Sequence, residues 1–449
     1  MIPRPQGREQ PLCKSGAVST HLPPLNNLRW AVIGLIFCAT LVSYIDRQTV
    51  SVMAPVLCKD LSMTNTQYGA VGSCFLFAYA LSMWLWGGVF DKVGSRIGYT
   101  MAISIWSVAE VAHSAVTGIL SLGFLRGLLG IGEAGNWPGA TRTIAAWFSN
   151  KERALGMGIA NAGASFGPAL AAPLIIWLQI SVGWRATFVL TGLLGVLWLW
   201  AWISIYPKSM KKESQESQEY QTGNEESEHT EGSKSGNHDL LIPWRNLLRR
   251  KEVWGIILAR FFGDPIWWLY LNWLPKYLSD VRHFSMKQIG ASAWAPFLAA
   301  GVGALLGGWL SGYLMTRGWS VNHSRKSAIL FATALLPAGV AAAYVDSPIT
   351  ALACIAITLF AFQFWVSNVQ TLASDLLPVG AVGSIAGFAG TAAGLGAMIF
   401  TFTTGWVVDR FSYTPILITA GLLAPIATGV LFMLIGKVRR LDIAPEHIT

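Results

Sequence analysis

Long apolar runs separated by short polar breaks recur along almost the whole chain. Twelve of them, at residues 29–56, 67–90, 99–117, 119–143, 154–181, 184–206, 253–278, 287–316, 327–346, 349–373, 381–407 and 413–436, are each long enough to cross a hydrocarbon core of about 30 Å at about 1.5 Å per residue. Residues 1–27 carry Pro3, Pro5, Pro11, Pro23 and Pro24 and no apolar core, which predicts a disordered tail rather than a secretory signal. Residues 207–251 are poor in apolar side chains and predict a flexible linker. Its last part, Ile242–Arg250, mixes apolar and basic residues like a short helix lying on a membrane surface. The linker divides the spans into an N-terminal bundle, 28–206, and a C-terminal bundle, 252–437, with a short tail at 438–449. The expected fold is therefore an all-α membrane protein of twelve transmembrane helices in two pseudo-symmetric six-helix bundles.

Composition agrees with the pattern. Of 449 residues, 53% are hydrophobic and 12% charged, against about 25% charged in soluble domains. The net charge of +9 could suit a nucleic-acid partner, but the cations sit in short loops beside apolar spans. Lys92 and Arg96, Lys151 and Arg153, Lys208 to Lys212, Arg245 to Lys251, Arg325 and Lys326, and Lys437 to Arg440 fall on one side, which makes both termini cytoplasmic. No nucleic acid is expected; the bilayer is the partner. The five cysteines are scattered, without disulfide or zinc spacing.

Against this background, charges inside spans stand out, because an ionisable group at bilayer depth is costly unless it faces a bundle interior or aqueous cavity. The segment Gly123–Pro138, GFLRGLLGIGEAGNWP, holds Arg126 and Glu133 two helical turns apart on one face, with Gly127, Gly130, Gly132 and Gly135 allowing close helix contact. The first span holds Asp46 and Arg47, and the second Tyr79. The seventh holds Arg260, Asp264, Pro265, Trp267, Trp268, Tyr270, Asn272 and Trp273. Arg260 and Asp264 are four apart with the cation first, the less favourable order for an intrahelical pair, so bonds to other helices are the expectation. Pro265 removes a backbone hydrogen bond and is a candidate gate. Trp267, Trp268 and Trp273 fit an interfacial belt as well as a site. Tyr270, Asn272, Gln363, Ser367 and Asn368 are candidate readers of hydroxyl groups, although polar residues also tie helices together. His113 reads as structural. Gly130–Gly135 fits a dinucleotide fingerprint and Gly163–Gly167 a nucleophile elbow, but both lie inside apolar helices without the strand that either motif needs. No enzyme, cofactor or metal is expected.

The two halves echo each other weakly: Gly87-Gly88 recurs as Gly307-Gly308, and Gly158 and Gly167 as Gly387 and Gly396. Internal duplication accompanies transporters with a midplane site. After the second span, Gly87 to Gly98 reads GGVFDKVGSRIG, in which Gly87, Asp91, Lys92, Gly94 and Arg96 can form a charge latch between neighbouring helices. This pattern, with twelve spans and a central polar loop, resembles the signature of the major facilitator superfamily. Tyr44-Ile45-Asp46-Arg47-Gln48, Tyr79, the Arg126 and Glu133 pair and ARFFGDPIWWLYLNWLPKYL at Ala259–Leu278 resemble its anion:cation symporter family, and most of all the bacterial hexuronate and galactonate transporters.

The resemblance implies that Arg47 and Arg126 hold a substrate carboxylate and that Asp46 and Glu133 take protons. General physics supports that division. A guanidinium stays charged and matches a carboxylate, whereas a buried acid near an arginine changes protonation when the arginine changes partner. The implied activity is import of a sugar-derived carboxylate, a hexuronate such as galacturonate or glucuronate, by proton symport. Aldonates, aldarates or other organic anions, moved by exchange or uniport, are the alternative. Protons are expected over sodium, a monomer over an oligomer, and the bacterial cytoplasmic (inner) membrane as location.

Overall fold

The computed structural model describes residues 25–148, 153–207, 244–377 and 379–441. Most of the expected tails and linker lies outside the described residues. Among the described residues every regular element is a helix. Eight helical stretches are long and apolar enough to cross a membrane. Two of these, Asn65–Ala112 and Arg153–Ile205, each contain two passes and reverse at a single glycine: Gly94 with φ 77° and Gly183 with φ 82°. The left-handed region costs glycine little, so one residue makes each turn where the sequence suggested a longer loop. Besides short breaks at Ala293 in the eighth pass and at Leu336 and Pro337 in the ninth, two further passes are divided. The fourth runs as Ile119–Glu133 and Asn136–Trp147, and the seventh as Lys251–Gly263 and Pro265–Asp280. The remaining passes, first, eighth and ninth to twelfth, begin at Leu25, Met286, Val321, Pro348, Val379 and Thr414. Among the described residues of the expected amphipathic segment, Trp244–Leu248 form a helix.

Polarity is inverted relative to a water-soluble protein. Leu120, Trp84, Met433 and Leu305 are largely exposed on the outside, while Asp46, Arg47, Gln48, Glu110, Arg126, Glu133 and Asn368 are buried. Apolar side chains have no reason to avoid lipid, so the polar ones gather inside.

Small residues set how closely the passes approach. A Cβ at Gly130 would lie 2.5 Å from the Phe75 carbonyl oxygen, and one at Gly132 2.6 Å from the Trp106 nitrogen. The fourth pass is thereby pressed between the second and third, with Arg126 and Glu133 held inside. The duplication appears in the same contacts. Gly167 in the fifth pass lies against Tyr44 and Leu41 of the first, and its counterpart Gly396 in the eleventh lies against Phe261 of the seventh.

Among the described residues, the hydrogen bonds joining the two halves lie at the end of the molecule opposite Asp91 or towards its middle. Ser51 Oγ donates to the carbonyls of Leu271 (2.7 Å) and Asn272 (3.0 Å), Tyr68 donates to the Asn272 carbonyl (2.7 Å), and Ser73 donates to Met398 (3.0 Å). The Asp409 carboxylate accepts from the backbone nitrogens of Asn65 (2.9 Å) and Thr66 (2.6 Å) and from Thr66 Oγ1 (2.5 Å).

Candidate functional site

The polar residues of the first four passes converge on one buried pair. Arg47, 2% exposed, donates through Nε (2.9 Å) and Nη2 (2.6 Å) to Glu133 Oε2, and Ser43 Oγ donates to the same oxygen at 3.1 Å. The sequence placed Glu133 opposite Arg126 on one helix face and Asp46 with its neighbour Arg47. The structure corrects both pairings. Residues seven apart on a helix share a face but are separated by about 10 Å along the axis, and consecutive residues point about 100° apart. Glu133 ends its helix and reaches across to the first pass instead.

Arg126 takes a different environment. It is 2% exposed, its Nη2 donates to the Arg47 carbonyl at 3.5 Å, and its Nε and Nη1 have no hydrogen-bond partner among the described residues. Its guanidinium lies 4.7 Å from the Phe75 ring centre. That ring also faces Arg47, which sits among Tyr44 (4.5 Å), Phe75 (5.1 Å), Tyr79 (5.1 Å) and Trp268 (5.2 Å). Aromatic faces stabilise the two cations without consuming their N–H donors. Asp46 is fully buried and neither of its carboxylate oxygens has a partner among the described residues. Tyr79 therefore lies beside Arg47 as part of this box, and Trp268 carries the contribution of the seventh pass.

The rest of the seventh pass is ordered differently from the expectation. Arg260 Nη2 donates to Asp264 Oδ2 at 2.5 Å, so the pair closes within its own helix despite the unfavourable order. The pass divides at Asp264, and Pro265 opens the second piece, where its missing N–H costs no helical bond. Trp267 stacks on Phe362, Trp273 meets Tyr68 edge-on, and all three tryptophans are buried, so they form no interfacial belt. Tyr270 is buried with its hydroxyl close to Gly339 of the ninth pass. Asn272 is buried, and its backbone carbonyl serves the contacts between the halves. In the tenth pass Asn368 donates to the Gly307 (2.9 Å) and Phe364 (3.0 Å) carbonyls, and Ser367 donates to Phe364, while Gln363 is half-buried. Asn368 thus ties the eighth and tenth passes, while the Tyr270 hydroxyl is buried with no hydrogen-bond partner among the described residues.

At the far end Asp91 accepts from Arg142 Nη1 at 2.9 Å, linking the second pass to the fourth. Arg96 donates to the carbonyls of Ile203 (2.8 Å) and Tyr206, where the sixth pass ends. Gly94 makes the turn between them, Lys92 is exposed, and a Cβ at Gly87 would meet open space.

Two residues escaped the sequence reading. Arg142 lies fifty-one positions from Asp91, and no local spacing connects them. Glu110 is a fully buried carboxylate of the third pass, its Oε1 accepting from Thr191 at 3.1 Å. An acid inside an apolar run was signal enough. His113, one turn on, is buried, donates to the Ala109 carbonyl at 2.6 Å and stacks on Phe188, as a structural histidine does.

Comparison with known proteins bears on the whole chain. The family model of the Major Facilitator Superfamily matches residues 36–401. A hexuronate transporter of Escherichia coli is 28% identical over 94% of this chain and 97% of its own length. A D-galactonate transporter from another Escherichia coli strain is 30% identical over 92% and 96%. Among solved structures, a D-xylose-proton symporter superposes with a TM-score of 0.72 at 15% identity, covering 91% of this chain and 98% of its own, a likeness of fold.

Proposed function

The chain belongs to the major facilitator superfamily, and from that premise we propose that it is a secondary transporter importing a sugar-derived carboxylate with protons by alternating access. The observation that carries this reading is the pair of buried arginines with unlike occupancy. Arg47 has its donors on Glu133, whereas Arg126 keeps Nε and Nη1 unpartnered beside the acids. Each free N–H of a guanidinium can give a charge-assisted hydrogen bond to a carboxylate, and Arg126 Nη2, held only by a 3.5 Å bond to the Arg47 carbonyl, can swing to complete a fork.

The two arginines also suggest how protons enter. A proton on Glu133 removes the charge that holds Arg47, so Arg47 becomes available to join Arg126 on the substrate. Substrate and Glu133 then compete for one cation, and a proton decides between them. Aromatic and hydroxyl groups around Arg47, chiefly Tyr44 and Tyr79, face the sugar portion. The named relatives carry a hexuronate and D-galactonate, which supports a hexuronate such as galacturonate or glucuronate as first choice and an aldonate as second. With the basic loops facing the cytoplasm of a bacterial inner membrane, the bonds between the halves close the outer side.

Uptake by proteoliposomes with and without an imposed pH gradient tests the coupling. Accumulation that follows the gradient is expected, and equal uptake in both conditions is the outcome that overturns it. A thermal-shift screen across hexuronates, aldonates and aldarates selects the substrate, since a ligand at 100 times its dissociation constant stabilises by about 2.7 kcal/mol.

A further inference from the structure

The Arg47–Glu133 pair balances its own charge; what remains does not balance. Arg126 is one cation, and two acids face it: Asp46 from the first pass and Glu110 from the third. All three are at most 2% exposed. Glu110 is also faced by Thr49 from the first pass, Glu133 from the fourth, Thr191 from the sixth, and His113 of its own helix, whose Nδ1 lies 3.9 Å from Glu110 Oε2. That nitrogen already donates to the Ala109 carbonyl. Neither Asp46 oxygen nor Glu110 Oε2 has a hydrogen-bond partner among the described residues. The site therefore holds two cations, Arg47 and Arg126, against three carboxylates, Asp46, Glu110 and Glu133.

We propose that Glu110 is a third proton-carrying residue of the transport site and that its carboxylate makes the empty carrier negative by one charge. The inference rests on the reading of the protein as a proton-coupled carboxylate importer. With the three acids ionised and both arginines charged, the empty site carries −1. A monovalent anion adds another negative charge, and two protons taken from outside onto the carboxylates bring the loaded site to zero. Inside, the anion and both protons leave. The balance is one anion and two protons inward, one net positive charge per cycle. The loaded carrier crosses without electrical work, and the empty one is drawn outward by an inside-negative potential. Without Glu110 the empty site is neutral, one proton accompanies the anion, and the voltage has nothing to act on.

The test is uptake of galacturonate by proteoliposomes under a pH gradient, with and without a potassium-diffusion potential. Wild type should take up substrate faster when the interior is negative, and its reversal potential should correspond to two protons per anion. Glu110→Gln should keep substrate exchange and pH-driven uptake yet lose the response to voltage, with a reversal potential for one proton. Glu110→Asp, which restores the carboxylate, should restore the response. Voltage dependence of Glu110→Gln equal to wild type overturns the inference, as does a wild-type stoichiometry of one proton, a measurement that holds even if Glu110→Gln does not fold. Absence of pH-driven uptake in wild type overturns the proposed function instead, so the two failures are distinguishable.

Discussion

Asp409, at the end of the eleventh pass, caps the second pass from the other half of the molecule by accepting from the backbone nitrogen and hydroxyl of Thr66. A carboxylate at a helix N-terminus meets both unsatisfied N–H groups and the positive end of the helix dipole. Asp409→Asn keeps one acceptor and loses the charge. About 0.3–1 kcal/mol is at stake, a roughly two- to five-fold change in the equilibrium between open and closed outer ends. Distance measurements between spin labels on the outer ends of the second and eleventh passes should show a larger open population, and an unchanged distribution would remove Asp409 from the closure.

Replacing Arg126 by Lys keeps the charge but loses the fork. Charged hydrogen bonds contribute about 1.5–3 kcal/mol each, so substrate affinity should fall roughly ten- to a hundred-fold. Calorimetric titration giving wild-type affinity would place the carboxylate elsewhere.

Glu133→Gln removes the anion that holds Arg47 and imitates the protonated acid. The variant should bind substrate and exchange it across the membrane, yet accumulate it less than wild type under a pH gradient, because the proton that releases Arg47 is lost. Accumulation at the wild-type level would return the Arg47–Glu133 pair to a structural role.

Asp91 is largely exposed and Arg142 half-buried, a surface pair for which about 0.2–1 kcal/mol is typical. Asp91→Asn should slow transport by shifting the balance of conformations while leaving intrinsic affinity near wild type. Arg142→Gln should do the same, and the double variant should be no slower than either single one. Additive losses would show that the two act separately.

The twelve passes were legible because lipid imposes one strong pattern, and the burial of Arg47, Arg126, Asp46 and Glu133 because a charge at bilayer depth has to face the bundle interior. Glu110 obeys the same rule and was overlooked beside His113. The partnerships were not legible. Asp46 adjoins Arg47 in sequence, yet adjacency on a helix separates directions, and Glu133 found its cation across the bundle. The bonds between the halves use main-chain carbonyls of Leu271, Asn272 and Met398, which leave no trace in residue identity. Asn368 looked like a sugar reader, yet its amide ties the eighth and tenth passes, because a polar atom in an apolar run has two uses and spacing alone does not choose between them.

The division of the seventh pass at Asp264 has a mechanical consequence. Its first piece, Lys251–Gly263, has 13 residues and is a rigid lever about 20 Å long at about 1.5 Å per residue. A bend of ten degrees at the fulcrum moves the far tip by about 3.5 Å, more than the length of a hydrogen bond. The fulcrum lies three residues before Trp267 and four before Trp268, so the tip can swing while the tryptophan against Arg47 stays almost still.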